Sequence, residues 1–596
     1  MIHVDSLQPR CTEADGGAPL TTPAGLQPRK TLRWRRMLVL ALNLASSLVL
    51  LGLTAVVLGA GGWSLVDLAL LACCALSLPW TVLGFWNAAI GLWLMRRGAE
   101  GLAAAAPFAI TGQEPIRIAT AVVMTLRNED PARALARFER VKASLDATGW
   151  GRAFAYHVLS DSDDPSVAAA EERAVADWRA RSPLAERHRI AYRRRAHNTG
   201  FKAGNLQDFC RAHGGTCDLM LPLDADSLMD GACILRLVRI MQAYPGIGIL
   251  QSLVVGAPSA SPFARIFQFG MRQGMRPYTM GSAWWTGDCG PFWGHNALVR
   301  IRPFASHCRM PVLPDGIFGG PILSHDQIEA VLMRRAGYEV RVLPVEGGSF
   351  EDNPPTLFDH VDREVRWCFG NLQYLRLMRM PGLHPVSRFQ LAAAVMMFLT
   401  APALTLALVL VPFKLMQVEE GFPVALAAGL YLAWLAASMA PKLAGYLDVL
   451  TSRRATRAHG GLARVTAGAL LELAFSFVLL AVSSFRLTLF MGQRLVSPRH
   501  AWGRQNRDAQ GVRWTTALRR LWPCLAFGLG LGLALLALGP AAFVWSLPLT
   551  LGYLLGIPFA VATASPGVGR AMVRLGLCAT PEEIARETDL QSSKWR

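Results

Sequence analysis

The chain has 596 residues, a formal net charge of +18, 52% hydrophobic residues and only 17% charged residues. Because soluble domains carry about 25% charged residues, this composition excludes a purely soluble protein and indicates a membrane protein. The basic residues lie mainly beside apolar runs, a pattern that is typical of membrane-topology signals and argues against nucleic-acid binding.

The N-terminal part predicts a tail and two membrane helices. Residues 1–36 are expected to form a disordered cytoplasmic tail, and residues 37–97 the two helices. The apolar runs Met37–Leu58 and Leu68–Leu94 each exceed the roughly 20 residues that span a bilayer. Basic residues precede the first run and none occurs in 60–67, so the positive-inside rule places the N-terminus in the cytoplasm.

Residues 115–385 predict a cytoplasmic α/β domain inserted between the membrane helices. Apolar runs of strand length alternate with helices, two of which begin with Asp-Pro, an N-cap followed by proline at the first helical position. This alternation predicts a mostly parallel sheet with helices on both faces. The predicted strands are Arg117–Thr125, Ala153–Ser160, residues 188–192 and Cys217–Leu223, and the Asp-Pro pairs are Asp130-Pro131 and Asp164-Pro165.

The last of these strands delivers two carboxylates, Asp224 and Asp226, to its C-terminal end. Open α/β sheets bind ligands at that end. The two side chains alternate across an extended backbone, so both can serve one site only if the chain turns there. Such a pair suits Mg²⁺ together with substrate phosphates, although an ordinary surface turn is the alternative. Pro222 removes a ladder donor, so it is expected at a bulge or at the strand's last turn.

Two further stretches support a site at this edge. Asp161 follows another predicted strand and is suited to hydrogen-bonding a base or ribose, or else to capping a turn. The cations of Tyr192–Arg195 and of Lys202–Asn205 stand at a predicted glycine turn that opens a helix. They could hold a diphosphate or form a solvated basic face.

Asp326 closes the stretch Leu323–Asp326 and enters the predicted helix Gln327–Ala336. A carboxylate at this position is a general base for an acceptor hydroxyl or merely an N-cap.

Arg363, Arg366 and Trp367 share one face of a predicted amphipathic helix. Two guanidiniums and an indole suit a diphosphate with a sugar ring stacked beside it. A helix lying on anionic lipid is the alternative.

Residues 386–563 predict more membrane helices, with cytoplasmic loops at 441–464 and 494–520, and residues 564–596 a cytoplasmic tail. Basic residues flank the apolar stretch 465–492 on both sides, so this stretch crosses twice, dips in or lies in the interface. Glu472 inside it is costly in a membrane and has no evident partner. The predicted spans are Phe389–Val411, Gly421–Met439, Leu521–Leu538 and Ala541–Ala562.

The order of these motifs resembles a known series. Asp161, Asp224-Ala225-Asp226, Ser324-His325-Asp326 and Arg363-x-x-Arg366-Trp367 resemble the D, DxD, TED and QxxRW motifs of processive family-two glycosyltransferases. The phrases LSDSDDP, KAGNLQDFC, LDADSLM, WGHNALVR and RWCFGNL are similar to the glucans biosynthesis glucosyltransferase H family in particular, which makes osmoregulated periplasmic glucans. The resemblance runs from about 115 to 515 and implies a nucleotide-sugar-binding domain of the GT-A type.

On the donor side, the resemblance implies that Asp161 contacts the uridine and Lys202 the phosphates of UDP-glucose. Asp224 and Asp226 would bind the nucleotide and Mg²⁺ (or Mn²⁺), with Asp226 as the main metal ligand. Arg366 would hold the diphosphate, and the basic stretch 499–514 resembles a loop that closes over bound nucleotide.

On the acceptor side, Asp326 would be the catalytic base, and Trp367 would stack on the terminal glucose of the growing β-glucan. Trp293 and His295 occupy the acceptor-side motif. Two residues depart from the usual pattern, because His325 replaces a glutamate and Arg363 a glutamine.

The resemblance therefore implies an inverting, processive enzyme of the bacterial inner membrane. It would build a β-1,2-linked glucan, export it through the lipid-embedded helices, and have acyl carrier protein as a partner. A cellulose- or hyaluronan-like synthase, a single-sugar polyprenyl-phosphate glycosyltransferase and a catalytically inactive scaffold or transporter are the alternatives.

Overall fold

The structure is a computed structural model that describes residues 26–109, 112–314, 316–417, 421–496 and 511–586. Most of the predicted N-terminal tail, residues 499–510 of the predicted nucleotide-closing loop and residues 587–596 of the predicted C-terminal tail lie outside the described residues.

The described chain alternates helices and strands in its middle and is helical on either side. The helices are α1 Arg29–Leu58, α2 Leu65–Arg96, α3 Ala99–Ala105, α4 Pro131–Asp146, α5 Pro165–Arg181, α6 Phe201–His213, α7 Gly231–Ala243, α8 Pro262–Thr286, α9 Ile301–His307, α10 His325–Arg335, α11 Leu357–Leu372, α12 Tyr374–Leu377, α13 Pro385–Leu415, α14 Val424–Leu450, α15 Arg453–Ala458, α16 Leu462–Val496, α17 Trp514–Leu538, α18 Pro540–Thr563 and α19 Pro566–Leu575. The strands are β1 Thr120–Leu126, β2 Phe154–Ser160, β3 Ile190–Arg194, β4 Leu219–Asp224, β5 Leu228–Met229, β6 Ile247–Ser252, β7 Val255–Gly256, β8 Ala297–Arg300, β9 Glu339–Leu343 and β10 Ser349–Glu351.

Seven strands form one sheet in the order β3-β2-β1-β4-β8-β6-β9. The first four are parallel, and β8 alone runs antiparallel to its neighbours. The predicted α/β class with a mostly parallel sheet is confirmed. Strand order reverses between β1 and β4, which is where open α/β sheets form their ligand crevice.

Alternate residues of β1 face the two covered sides of the sheet. Ala121 and Val123 pack with α6, α9 and α10, whereas Val122 and Met124 pack with α4 and α7, and all four are fully buried. Helices therefore cover both faces, as a mostly parallel sheet requires. The two Asp-Pro helix starts are confirmed, because Asp130 and Asp164 each cap their helix by accepting backbone N–H bonds.

Seven described helices are long and apolar enough to cross a membrane: α1, α2, α13, α14, α16, α17 and α18. Six of them match the six predicted spans, as a multi-pass membrane protein requires. They extend beyond those spans, so that α1 begins at Arg29 and α14 continues to Leu450, into the predicted loop 441–464.

The ambiguous stretch 465–492 lies in one continuous helix, α16, so two crossings, which need a turn, are excluded. Near one end Glu472 packs directly against Gly270 of α8. Near the other end Arg494 Nη2 donates to the carbonyl of Ile317 at 3.3 Å. Both ends of α16 therefore contact the domain 115–385, while its middle packs against α18, where a Cβ on Gly552 would be 2.6 Å from Ala481 Cβ.

Glu472 has partners that the sequence did not reveal. Its carboxylate accepts hydrogen bonds from Lys442 and Tyr446 of α14 and from Ser476 Oγ of its own helix. The side chain is 1% exposed, and a carboxylate buried this deeply requires such a set of donors. Lys442, which marked a predicted cytoplasmic loop, is thus part of α14 and of this buried pair.

Pro222 contradicts its prediction, because it lies inside β4 in unbroken register with Val123 of β1. Its carbonyl accepts from the Asn296 N–H at 2.9 Å. The N–H and C=O of one strand residue point to the same neighbour, so the missing donor faces the β8 side. On that side, β4 pairs with β8 only at Leu219 and Met220. The missing N–H of Pro222 therefore breaks no hydrogen bond between these two strands.

The glycine turn that opens α6 is at Gly200, with φ +71°, and not at Gly204 as predicted. Gly204 lies within the helix, where a Cβ would be 2.1 Å from the Thr199 carbonyl oxygen. The glycine is therefore needed for close packing of the helix start against the preceding loop.

The sequence did not predict helix α8. Most of its residues are buried, so it shows no clear polar face, and Pro277 inside it suggests the end of a helix. It lies between the sheet domain and the membrane helices α2, α14 and α16. Its backbone touches that of α2: a Cβ on Gly281 would be 2.0 Å from the Asn87 carbonyl oxygen, and one on Gly91 1.7 Å from that of Pro277. Small residues permit this close crossing.

We expect Gly281→Ala to destabilise the protein by about 1–3 kcal/mol, the usual cost of overpacking, because the obstructing atoms are backbone and cannot rotate away. Gly52→Ala in α1 is the matched control, since no atom lies within 4 Å of its Cβ position. Thermal unfolding of the detergent-purified protein measures the difference. Equal Tm values for the two variants would contradict the crossing.

Candidate active site

The parallel register of β1 to β4 gathers charged residues at one edge of the sheet. Asp161 follows β2, and its N–H donates to the Leu126 carbonyl of β1 at 2.9 Å. Arg195 follows β3, and its N–H donates to the Ser160 carbonyl at 3.1 Å. Asp224 ends β4. The crevice at the strand-order reversal is therefore bordered by both signs of charge.

The chain turns directly after Asp224, as two carboxylates in one site require. The Ser227 N–H donates to the Asp224 carbonyl at 3.0 Å, and Ser227 Oγ accepts from the Asp224 N–H at 3.1 Å. Lys202 Nζ, from the first turn of α6, donates to the Asp224 carboxylate. Lys202, the predicted phosphate-binding cation, thus lies in contact with Asp224, the first of the two predicted carboxylate ligands.

Asp226 is held through its backbone. Arg137 of α4 donates to the Asp226 carbonyl, and its Nη2 donates to Asp352 at 2.7 Å. Arg133 Nη2 reaches the same Asp352 oxygen at 2.7 Å. Because Asp352 follows β10, this clamp joins the carboxylate turn to the segment that leads into α11.

His295 lies beneath the same turn. Its Nδ1 is 3.4 Å from Ser227 Oγ, and its Nε2 is 3.3 Å from Glu351 Oε2. Burial would lower the pKa of His295, but the Glu351 contact and the charge of Asp224 outweigh burial and raise the pKa to about 9. The imidazole is therefore largely cationic at neutral pH, and it braces the turn from below.

Asp161 is paired with Arg195 in a bidentate contact, with Nε–Oδ1 at 2.7 Å and Nη2–Oδ2 at 2.9 Å. Arg195 also donates to Asp208 and to the carbonyls of Thr199 and Phe201, each at 3.0 Å. A guanidinium held this way fixes the orientation of the Asp161 carboxylate. It also links the end of β2 to the loop that leads into α6, the helix that carries Lys202.

Asp326 lies in the first turn of α10, where Ser324 and not Asp326 occupies the N-cap position. Gly294, with φ +79°, approaches it closely: a Cβ there would be 3.3 Å from Asp326 Cβ and 3.7 Å from His325 Cε1. Since Gly294 is followed by His295, which contacts the turn after Asp224, one loop borders both Asp326 and the carboxylate pair.

The start of α10 is held from α12 and its far end from α1. Tyr374 OH donates to the Ser324 carbonyl at 2.8 Å. At the other end, Arg334 Nη2 donates to Asp288 at 2.6 Å, and Asp288 also pairs with Arg36. The helix that carries Asp326 is therefore tied to the first membrane helix.

Helix α11 packs against the loop before Asp326 through Gly370, whose Cβ would be 2.2 Å from Ser324 Oγ. Trp367 is 46% exposed, and the Arg363 guanidinium carbon lies 4.5 Å from its ring centroid. Arg363 also lies 5.7 Å from the Phe267 ring, so it stacks between aromatics. Arg366 is half-buried on the same helix.

The structure thus brings Asp161, Asp224 and Lys202 to one edge of the sheet. The loop that carries Trp293 and His295 also lies against Asp326 of α10. Trp293 is half-buried, and its backbone N–H donates to Gln251 Oε1 at 2.8 Å. Motif reasoning missed Arg137, Glu351 and Tyr374, which hold the site, and it assigned Arg195 to a diphosphate or a solvated basic face, whereas Arg195 pairs with Asp161. The basic run ahead of Lys202 was a signal for Arg195, but nothing in the local sequence distinguishes the others.

A divalent cation fits the carboxylate turn. Within the described residues, no three His, Cys, Asp or Glu side chains are grouped as metal ligands, so a cation would need oxygens from a bound ligand. Two carboxylates that leave room for phosphate oxygens suit Mg²⁺ or Mn²⁺. The Lys202 contact with Asp224 shows that this carboxylate already attracts positive charge.

The chain is similar to known glycosyltransferases. A family model described as glycosyl transferase family 2 matches residues 121–307, and one described as glycosyl transferase family group 2 matches residues 219–440. Glucans biosynthesis glucosyltransferase H of Xanthomonas oryzae pv. oryzae is 33% identical over 92% of this chain and 87% of its own. The protein of that name from Pseudomonas paraeruginosa is 33% identical over 94% of this chain and 69% of its own.

Among solved structures, a mannosyltransferase from Pyrobaculum calidifontis in complex with GDP-Man and Mn²⁺ is 17% identical, with a TM-score of 0.35 over 62% of this chain and 99% of its own.

We expect Gly294→Ala to reduce turnover severalfold, because its Cβ would lie 3.3 Å from Asp326 Cβ and would shift the Asp326 side chain. Gly149→Ala is the matched control, since Gly149 has φ +80° but no atom within 4 Å of its Cβ position. Both substitutions carry the strain of a left-handed residue, roughly 1–2 kcal/mol, and only the first crowds the site. Glucosyl transfer by the two purified variants, normalised to folded protein, checks this; equal rates would contradict the placement of Asp326.

Proposed function

This chain belongs to the glucans biosynthesis glucosyltransferase H family, and from that premise we propose that it transfers glucose from UDP-glucose to a growing β-glucan, with inversion at the anomeric carbon. One observation carries the proposal: the loop with Gly294 and His295 borders Asp326 on one side and the carboxylate turn on the other. A base and a diphosphate site that share one loop suit a direct glycosyl transfer.

On the donor side, Asp161 contacts the uridine, and Lys202 and Arg366 hold the diphosphate. The Lys202–Asp224 pair supports this role, because binding of the donor exchanges one ion pair for two, with phosphate at Lys202 and a cation at Asp224. Asp224 and Asp226 would hold Mg²⁺ or Mn²⁺, which when bound neutralises part of the charge on the diphosphate.

Asp326 takes the proton from the acceptor hydroxyl as the hydroxyl oxygen attacks the anomeric carbon from the face opposite the diphosphate. The new C–O bond forms while the bond to the phosphate oxygen breaks, and its electron pair leaves with UDP. Lys202 and Arg366 stabilise this developing charge, which is commonly the largest contribution to such catalysis. One displacement converts an α-linked donor into a β-linkage.

On the acceptor side, Trp367 stacks on the terminal glucose. Its exposure supports this role, and since the Arg363 guanidinium covers one face of the indole, the sugar takes the other. Arg363 thus orients the ring instead of contacting the diphosphate. Trp293 and His295 border the acceptor from the neighbouring loop.

We further place this enzyme in the bacterial inner membrane, with the domain 115–385 and both termini in the cytoplasm, where UDP-glucose is made. Six crossings with α16 in the interface keep the termini on one side. The product is then a β-1,2-linked osmoregulated periplasmic glucan that leaves through the membrane helices, and acyl carrier protein is the expected protein partner.

Asp326→Asn is expected to lower glucosyl transfer by about 10²–10⁴-fold, the usual contribution of a general base, while leaving UDP affinity within about threefold of the native value. Membranes containing the chain, labelled UDP-glucose and Mg²⁺ test this, with linkage analysis of the product. Asp177→Asn, on the exposed face of α5, is the control. Native-like turnover by Asp326→Asn, or a native chain that uses other UDP-sugars and ignores UDP-glucose, would reject the proposal.

Trp367→Ala should reduce polymer formation more than UDP-glucose hydrolysis, by about tenfold, because the acceptor loses its stacking surface while the donor site stays intact. Trp367→Phe keeps an aromatic face and should retain most elongation. The ratio of polymer-bound to free glucose gives the readout, and equal losses of both activities would argue against acceptor stacking.

A further inference from the structure

The side chain of Glu329 lies in the hydrophobic core behind the proposed active site. It is on α10, one turn beyond His325, and is 1% exposed. The residues on either side of it, Ile328 and Ala330, belong to the same core cluster as Cys308, Cys368 and Tyr374. Glu329 lies outside the D, DxD, TED and QxxRW motifs, although the stretch GGPILSHDQIEAVLMRRAGY that contains it is similar to the glucans biosynthesis glucosyltransferase H family. The proposed mechanism does not use this acid.

The one basic group within ion-pair distance of Glu329 in the described part of the chain is His325. Its Nδ1 lies 3.1 Å from Glu329 Oε2. The contact is short but poorly aligned for a hydrogen bond, so neither carboxylate oxygen accepts a well-formed bond from a described residue. A buried carboxylate is costly unless it is paired with a charge, and on this geometry only a protonated His325 supplies that charge.

The ring atom next to Nδ1, Cε1, lies toward Gly294 in the loop that borders the proposed active site. His325 Cε1 and Asp326 Cβ both flank Gly294, at 3.7 and 3.3 Å from the position of its Cβ. One imidazole ring therefore bridges a buried carboxylate and the loop that borders the proposed base. His325 stands where processive family-two glycosyltransferases usually have a glutamate, so in this chain a basic side chain directly precedes Asp326.

We propose that Glu329 and His325 form a buried carboxylate–imidazolium pair that positions Asp326 and places a positive charge beside it. This inference rests on the proposed role of Asp326 as base. The charge has a physical use, because the pocket already contains Asp224 and Asp226 and takes up a diphosphate. A cation next to Asp326 offsets part of the repulsion among these groups.

The ionisation of His325 agrees with this geometry. Burial would lower the pKa of His325, but the charge of Glu329 and the contact with it, together with the charge of Asp326, raise the pKa above its ordinary value. Lys202 of α6 opposes this rise, and Tyr374 of α12 lies near both Asp326 and Glu329.

The pH dependence follows from this direction. A raised pKa keeps His325 charged to higher pH than an ordinary histidine, and its charge is lost as the pH rises through that raised value. The kcat of the native enzyme should therefore fall on the alkaline side. Removal of the Glu329 charge lets burial dominate, so the alkaline limb should move to lower pH, by about one unit or more.

The test measures kcat and KM for UDP-glucose between pH 6 and pH 9 in the full chain, with Glu329→Gln as the first variant. We expect kcat at pH 7.5 to fall about tenfold or more, in the range commonly lost when a partner behind a functional group is removed. KM should stay within about twofold, and the alkaline limb should shift downward. Glu172→Gln, on the exposed face of α5, should match the native enzyme.

A second set of variants keeps the test decisive if Glu329→Gln folds poorly. His325→Gln leaves Glu329 buried without a cation, whereas the double variant His325→Gln/Glu329→Gln buries no charge. The double variant should have a higher Tm than His325→Gln alone, and its reduced kcat should lack the part of the alkaline limb that His325 contributes, leaving the part that His295 contributes near pH 9. Native kcat in the double variant, or a native pH profile in Glu329→Gln, would overturn the inference.

Asp326→Asn, measured in the same series, distinguishes failure of the Glu329–His325 pair from failure of Asp326 as the base. If it is inactive while the Glu329 variants behave like the native enzyme, the pair has no positioning role and the proposed function stands. If it retains turnover, the proposed base is wrong and the inference fails with it.

Discussion

The close approach of Gly294 to Asp326 is the contact on which the account of this enzyme depends. The loop that contains this glycine also carries His295 to the turn after Asp224. The proposed donor site at the sheet edge and the proposed base on a helix far along the chain are linked because this loop touches both. Glycine is favoured here, since the backbone is left-handed and a Cβ would lie 3.3 Å from Asp326 Cβ, a tight contact.

Around this contact the domain is fixed from the membrane side. Helix α8 lies against α2 at distances that leave no room for a methyl group, and Phe267 of α8 contacts Arg363 of α11. Arg36 of α1 and Arg334 of α10 share Asp288. The same elements that attach the sheet domain to the membrane helices therefore hold the proposed base and contact the helix of Trp367, an arrangement that suits the proposed export of the polymer through the bilayer.

Much of this architecture could be predicted, because its signals are local. Asp-Pro pairs mark two helix starts, apolar runs of about 20 residues mark membrane helices, and strand-end acids mark the carboxyl edge of a parallel sheet. What failed depends on contacts between distant segments. Pro222 is tolerated because the β8 ladder ends before it, and Glu472 is tolerated because α14 brings Lys442 to it. Arg137, Arg195 and Glu329 likewise act through partners that no local pattern places beside them.

The central claim is that Asp326 and the carboxylate turn face one ligand. A cryo-electron microscopy map of the full chain in lipid nanodiscs with UDP and Mn²⁺ tests it most directly. The account predicts the uracil at Asp161, the diphosphate between Lys202 and Arg366, the cation on Asp224 and Asp226, and the Asp326 carboxylate facing the open side of the diphosphate. Nucleotide bound elsewhere, or an Asp326 side chain turned away from the bound diphosphate, would contradict it.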